Sequence, residues 1–109
     1  MVFGRGDVVL VPFPFRDRVR AKVRPALVLS GRAYNAGGDL IVAAITSHPP
    51  RVESDYSLAQ WSEARLLSPS TVRMQLATLA ASRVLHRPGR VSPQDLRAID
   101  ARLRAVLDI

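Results

Sequence analysis

Three apolar runs, each eight or nine residues long and each closed off by proline, glycine or hydroxyl residues, recur through the first half of this 109-residue chain. They are GDVVLVPF at residues 6–13, VRPALVLS at 23–30 and DLIVAAITS at 39–47. Runs this short, rich in valine and isoleucine and bounded by turn residues, specify strands rather than helices. The connection GRAYNAGGD, with Asn35, Gly37 and Gly38, is rich in residues that tolerate positive φ. Residues 71–79 alternate, with Val72, Met74, Leu76 and Thr78 on one face and Arg73, Gln75, Ala77 and Leu79 on the other, so they predict a half-buried strand. DYSLA predicts a short strand, and QWSEARLLSPS a brief helical turn that Pro69 stops. Near the C-terminus, Ser92 can cap a helix with Pro93 at its first position and Asp95 reaching back. Leu96, Ile99, Leu103 and Val106 form its apolar stripe. Several short strands and one terminal helix predict a small, mostly antiparallel barrel or curved sheet.

A chain of this length holds one domain, in which a second subunit would help to bury surface. No run approaches the roughly 18 apolar residues of a membrane span, and MVFGRGD lacks a secretory core, so a cytoplasmic protein without membrane contact is expected. The absence of cysteine excludes thiol chemistry. With only His48 and His86 as imidazoles, neither metal nor other cofactor is expected. The formal charge of +7 favours a polyanionic partner, nucleic acid first, although fifteen of the sixteen basic residues are arginine and such a bias also produces ordinary solvated surfaces. Distribution is more telling: Arg16, Arg18, Arg20, Lys22 and Arg24 crowd one segment, predicted to project as a loop, with Asp17 as its only acid.

Arg24 stands immediately before Pro25, which disfavours helical backbone at Arg24 and belongs at a strand's start or edge. The core strand is therefore expected to begin after Pro25, with Arg24 held extended at its rim. If the second and third strands form a hairpin around residues 31–38, Arg24 lies beside Thr46, in a register that sequence leaves open. A rigid, permanently charged fork beside a hydroxyl suits a phosphate. The competing reading makes Arg24 the partner of Asp7, Asp17 or Asp39 in a surface ion pair. Thr46 and Ser47 could equally cap local backbone, and His48 could be an exposed loop imidazole or a general base. Arg73 and Gln75 either cover a solvent face or meet phosphate and base edges.

In succession, GDVVLVPFPF, KVRPALVLS, DLIVAAITS and VRMQLATLAASRV resemble the MazF/PemK-like family of toxin endoribonucleases from toxin–antitoxin modules. The resemblance spans most of the chain. It implies a mainly β, SH3-like small barrel with a C-terminal helix, a homodimer whose RNA-binding surface crosses the interface, and inhibition by a cognate antitoxin. It also implies metal-independent, sequence-selective cleavage of single-stranded RNA, in which the ribose 2′-hydroxyl attacks the adjacent phosphate and leaves a cyclic or 3′ phosphate and a 5′-hydroxyl. Carried onto the matching positions, Arg24 takes the role of the catalytic arginine and Thr46 that of the threonine orienting the reacting groups. Ser47, Arg73, Gln75 and the basic-loop residues Arg16, Arg18 and Lys22 are the RNA contacts. Gln75 is a departure, because a position that is acidic in some relatives here holds an amide that cannot act as a base. Ala77 and Ala80 likewise replace an arginine and an acid. Two other readings are a non-catalytic SH3-like module that binds nucleic acid or peptide, and a CcdB-like gyrase poison. The latter family uses a tryptophan-bearing tail, whereas this chain ends AVLDI and has only Trp61.

Overall fold

The three apolar runs become β1 (Asp7–Phe13), β2 (Lys22–Val28) and β3 (Asp39–Thr46) in the structure, a computed structural model that describes residues 2–15 and 22–109. With β4 (Tyr56–Ser57), β5 (Thr71–Ala80) and β6 (His86–Arg90) they form one antiparallel sheet in the order β4-β5-β3-β2-β1-β6. The sheet curls into a half-closed, SH3-like barrel. Period-two alternation sends Val8, Leu27, Ala43 and Ile45 into one core, and Val9, Val11, Ala26, Val28, Val42 and Ala44 into another. Strands with a core on each face need no polar side, which is why all three read as unbroken apolar runs.

The first core is closed by α2 (Pro93–Leu107), whose Ile99 is fully buried and whose Leu96 and Leu103 pack against it. Val106, expected in the same stripe, is exposed. Ser92 caps the helix as expected, its Oγ accepting from the Asp95 amide at 3.1 Å. The Asp95 carboxylate, however, does not reach back to Ser92. It accepts from the Tyr56 hydroxyl at 2.6 Å and from the Ala59 and Gln60 amides at 3.0 and 2.9 Å. A fully buried carboxylate is tolerable only with donors of this number, and these three fasten the segment after β4 to the start of α2.

Several expectations need correction. β2 begins at Lys22, not after Pro25, and pairs with β1 from Lys22 to Leu27. Its ladder to β3 spans only Ala26–Val28, so Pro25 lies where β2 is open on one side and its missing N–H costs nothing. The 31–38 connection contains a single helical turn, α1 (Arg32–Asn35), and its positive φ falls on Gly38. Asn35 is instead buried, its amide donating to the Phe3 and Ser30 carbonyls at 2.7 and 3.0 Å. Residues 59–65 form turns without a helix. In β5, Val72 and Met74 meet the first core as expected, but Leu76 and Thr78 are exposed while Ala77 and Leu79 pack on the second core. There the strand has run past the first core, and the curl of the sheet exchanges its inner and outer faces. Among the described residues no helix is long and apolar enough to cross a membrane.

β6 was hidden by its composition, since HRPGR reads as loop. Among the described residues it is an edge strand paired with β1 alone, where Pro88 is tolerated. Gly89 is required by close approach, because a Cβ there would lie 2.6 Å from the Ala64 carbonyl oxygen and 2.8 Å from the Arg65 Cγ. Gly89→Ala is expected to destabilise the fold by about 1–3 kcal/mol, as overpacking does, lowering the urea midpoint without changing the slope of the transition.

Candidate functional site

The Ala26–Ala44, Leu27–Ala43 and Val28–Val42 pairs set the β2–β3 register. Continued by two residues, this ladder places Arg24 opposite Thr46, one of the two registers that put both side chains on one face. The two residues line a single open cleft of about 820 Å³ at the rim of the sheet. Ser47 and His48 join it from the end of β3, Arg51 and Arg65 from the following loops, Arg73 and Gln75 from β5, and His86 from β6. The described lining thus carries four arginines, two histidines and no carboxylate.

Local structure explains each placement. Arg24 is half-buried in extended backbone, opposite Val11. Among the described residues no acid pairs with it. Asp7, a predicted partner, is engaged by the Gly4 amide at 2.8 Å and by Arg87 and Arg90 at 3.5 and 3.9 Å. Asp39 starts β3 at the far end of the hairpin, opposite Ala80, and Asp17 lies outside the described residues. The Thr46 Oγ1 accepts from the His48 amide at 3.2 Å, the local capping foreseen for a strand-end hydroxyl. That bond uses the oxygen as acceptor and leaves the hydroxyl proton available to donate.

Gln75 owes its position to a bulge. Along β3–β5, Ala43 pairs with Leu76 and the next residue, Ala44, with Arg73, so Met74 and Gln75 are looped out of the ladder. Bulges commonly re-aim side chains beside functional sites, and here an exposed amide turns toward the cleft. Arg73 is less available than a lone cation, because its Nε faces Asp55 Oδ1 at 3.6 Å. Asp55 is buried and its Oδ2 also accepts from the Arg51 amide at 2.9 Å, so one carboxylate organises two arginine-bearing segments. Arg65 sits at φ 66, in the left-handed region that residues other than glycine rarely adopt. Its turn is fixed by the Asp95 hydrogen bonds to Ala59 and Gln60 and by the close approach of Gly89.

Of the residues expected to contact RNA, Ser47, Arg73 and Gln75 line the cleft. Lys22 does not; it is exposed at the start of β2, opposite Phe13. Arg16 and Arg18 lie outside the described residues. Arg51, Arg65 and His86 were not singled out. The turn before Pro69 gave no sign that Arg65 would be turned inward, and His86 belongs to the strand that sequence concealed.

A curled antiparallel sheet, with a cationic cleft at its rim whose described lining carries no acid, defines an SH3-like barrel suited to an anionic ligand. The model of the PemK-like, MazF-like toxins of type II toxin–antitoxin systems matches residues 4–107, and the chain belongs to that family. Among solved structures, an endoribonuclease from a mycobacterial species in complex with its cognate antitoxin superimposes with TM-score 0.80 and 18% identity, over 98% of this chain and 96% of that one. MazF from Deinococcus radiodurans gives TM-score 0.80 and 23% identity over 100% and 99% of the two chains. The Mycobacterium tuberculosis toxin MazF-mt6 gives 0.75 and 17% over 94% and 97%. At these identities the likeness is one of fold. No curated protein sequence matches the chain.

Proposed function

We propose that this toxin is an endoribonuclease that cuts single-stranded RNA by attack of a ribose 2′-hydroxyl on the adjacent phosphate. The observation that carries the reading is that Arg24 and Thr46 line one cleft whose described lining has no carboxylate. The chemistry asks little of the protein beyond positioning and charge stabilisation, because the nucleophile belongs to the substrate. The Arg24 guanidinium donates to the non-bridging oxygens of the scissile phosphate, where negative charge builds in the phosphorane-like transition state. The Thr46 hydroxyl, held by the His48 amide, donates to the same group and orients it toward the 2′-oxygen. Attack forms the 2′-O–P bond and breaks the bond to the 5′-oxygen, leaving a 2′,3′-cyclic phosphate, which hydrolyses to a 3′-phosphate, and a 5′-hydroxyl. Ser47 and Gln75 supply hydroxyl and amide groups for base edges, and Arg51, Arg65 and Arg73 supply charge along the backbone. The reading includes a homodimer and a cognate antitoxin that covers the cleft. In support, the mycobacterial endoribonuclease was solved in complex with its cognate antitoxin, and the D. radiodurans MazF also as MazE–MazF.

Labelled single-stranded RNA incubated with the protein in excess EDTA tests this. The expected products end in a 5′-hydroxyl and form without added metal. Binding without products would instead support a non-catalytic module.

A further inference from the structure

One buried acid beside the cleft has no part in the chemistry above. Asp55 lies outside the described lining, and its side chain is only 2% exposed. A carboxylate is costly to bury unless donors surround it, so the groups that Asp55 holds explain its place.

Its two oxygens hold different things. Oδ2 accepts from the Arg51 and Val52 amides at 2.9 and 3.4 Å and closes the turn before β4. Oδ1 faces the Nε of Arg73 at 3.6 Å. That Nε is buried and has no hydrogen-bond partner among the described residues, so the charge of Asp55 is what compensates it. Asp55 is itself fixed from two further sides. Its amide donates to the Val52 carbonyl at 3.1 Å, and its carbonyl accepts from the Arg102 Nε of α2 at 3.2 Å.

Strand register selects Arg73 as the partner. β4 pairs with β5 at Tyr56–Val72 and Ser57–Thr71, and the same ladder continued by one residue sets Asp55 opposite Arg73. On the other side of β5, Arg73 pairs with Ala44, two residues before Thr46, so alternation puts Arg73 and Thr46 on one face of the sheet. Asp55 engages only the Nε of a guanidinium that has five donors. The terminal nitrogens stay available to an anion in the cleft that Arg73 lines.

We infer that Asp55 is a positioning residue: without touching RNA, it fixes the Arg73 guanidinium so that its terminal nitrogens grip the RNA backbone. The inference deepens the endoribonuclease reading and rests on it. Net charge alone would have the opposite consequence, since an acid beside a cationic cleft repels RNA and its removal should tighten binding.

The test uses an RNA oligonucleotide spanning a cut mapped with the unsubstituted protein, with a 2′-deoxy nucleotide on the 5′ side of that cut so that it binds without being cleaved. Fluorescence anisotropy gives its affinity at several salt concentrations. Asp55→Asn keeps a carbonyl for the Arg51 and Val52 amides but offers Arg73 no charge. It is expected to bind about tenfold more weakly although the protein becomes more positive, the scale of one hydrogen bond to a charged group. The slope of log K against log salt should flatten by about 0.7, the loss of one phosphate contact on a single strand. Arg73→Gln should do the same. Adding Asp55→Asn to Arg73→Gln should then weaken binding by less than about twofold, because both changes remove one interaction. A thermal melt of each variant sets a temperature at which all are folded. Equal or tighter binding by Asp55→Asn, or losses that multiply to about 100-fold in the double variant, would overturn the inference. Failure of the unsubstituted protein to cut would overturn the endoribonuclease reading and this inference with it, whereas normal cutting together with multiplying losses overturns the inference alone.

Discussion

Arg24→Ala is expected to cut RNA about 10²- to 10³-fold more slowly than the unsubstituted toxin while remaining folded, the loss typical when one preorganised donor aimed at developing charge is removed. The side chain is half-buried at the rim, and among the described residues no carboxylate pairs with it, so truncation strands no partner acid and opens no core cavity. Pro25 and the ladder to β1 hold the backbone regardless of the residue at 24. Arg24→Lys should recover only part of the rate, because an ammonium replaces a planar two-pronged donor by a point charge. Single-turnover rates separate the two variants, and circular dichroism with a thermal melt confirms folding. A folded Arg24→Ala variant that cuts at the normal rate would contradict the proposed role.

The second large effect is structural. Asp95→Ala removes a fully buried acceptor of three hydrogen bonds and leaves the Ala59 and Gln60 amides without their partner. Bonds to a charged acceptor contribute about 1.5–3 kcal/mol each, so a loss of about 3 kcal/mol or more is expected. In a domain of this size that lowers Tm by on the order of 10–20 °C. Asp95→Asn, which keeps one carbonyl acceptor, should fall between. Both variants loosen the segment that carries Arg65 into the cleft, so cleavage should weaken as well.

The same site has a pH signature. Burial first, and then the hydrogen bond and negative charge of Asp95, push the Tyr56 hydroxyl from 10.0 up to about 12. Because the folded chain holds this proton more tightly than the unfolded chain, the associated stability is complete below pH 10 and is lost as pH rises from 10 to about 12. Phenolate absorbance in an alkaline titration should show the late ionisation, and in Asp95→Ala it should move toward lower pH.

Much of the fold was legible because its signals are local. Valine-rich runs between turn residues marked β1 to β3, and Ser92 with Pro93 marked the start of α2. The Arg24–Thr46 neighbourhood was legible too, since a hairpin of that length admits few registers and the observed one is among those that join them. What stayed hidden depends on non-local contacts. HRPGR becomes a strand because β1 offers an open edge, and Gly89 is needed there because Ala64 approaches from a distant turn. Asp95 looked like half of a capping box, yet the Tyr56 hydroxyl and two amides from the segment after β4 claimed its carboxylate. Gln75 was a candidate from its amide and its strand, but the bulge opposite Ala43 and Ala44 that lifts it from the ladder had no local signal. His86 was passed over for the same reason as its strand.

The central claim is that the substrate's own 2′-hydroxyl is the nucleophile, brought to the phosphate by Arg24 and Thr46. Its most direct test is one 2′-deoxy nucleotide placed on the 5′ side of a mapped cut in a longer RNA, with the untouched cut sites of the same strand as internal controls. Cutting should vanish at the substituted position and continue at the others. Undiminished cutting at the deoxy position would contradict the mechanism.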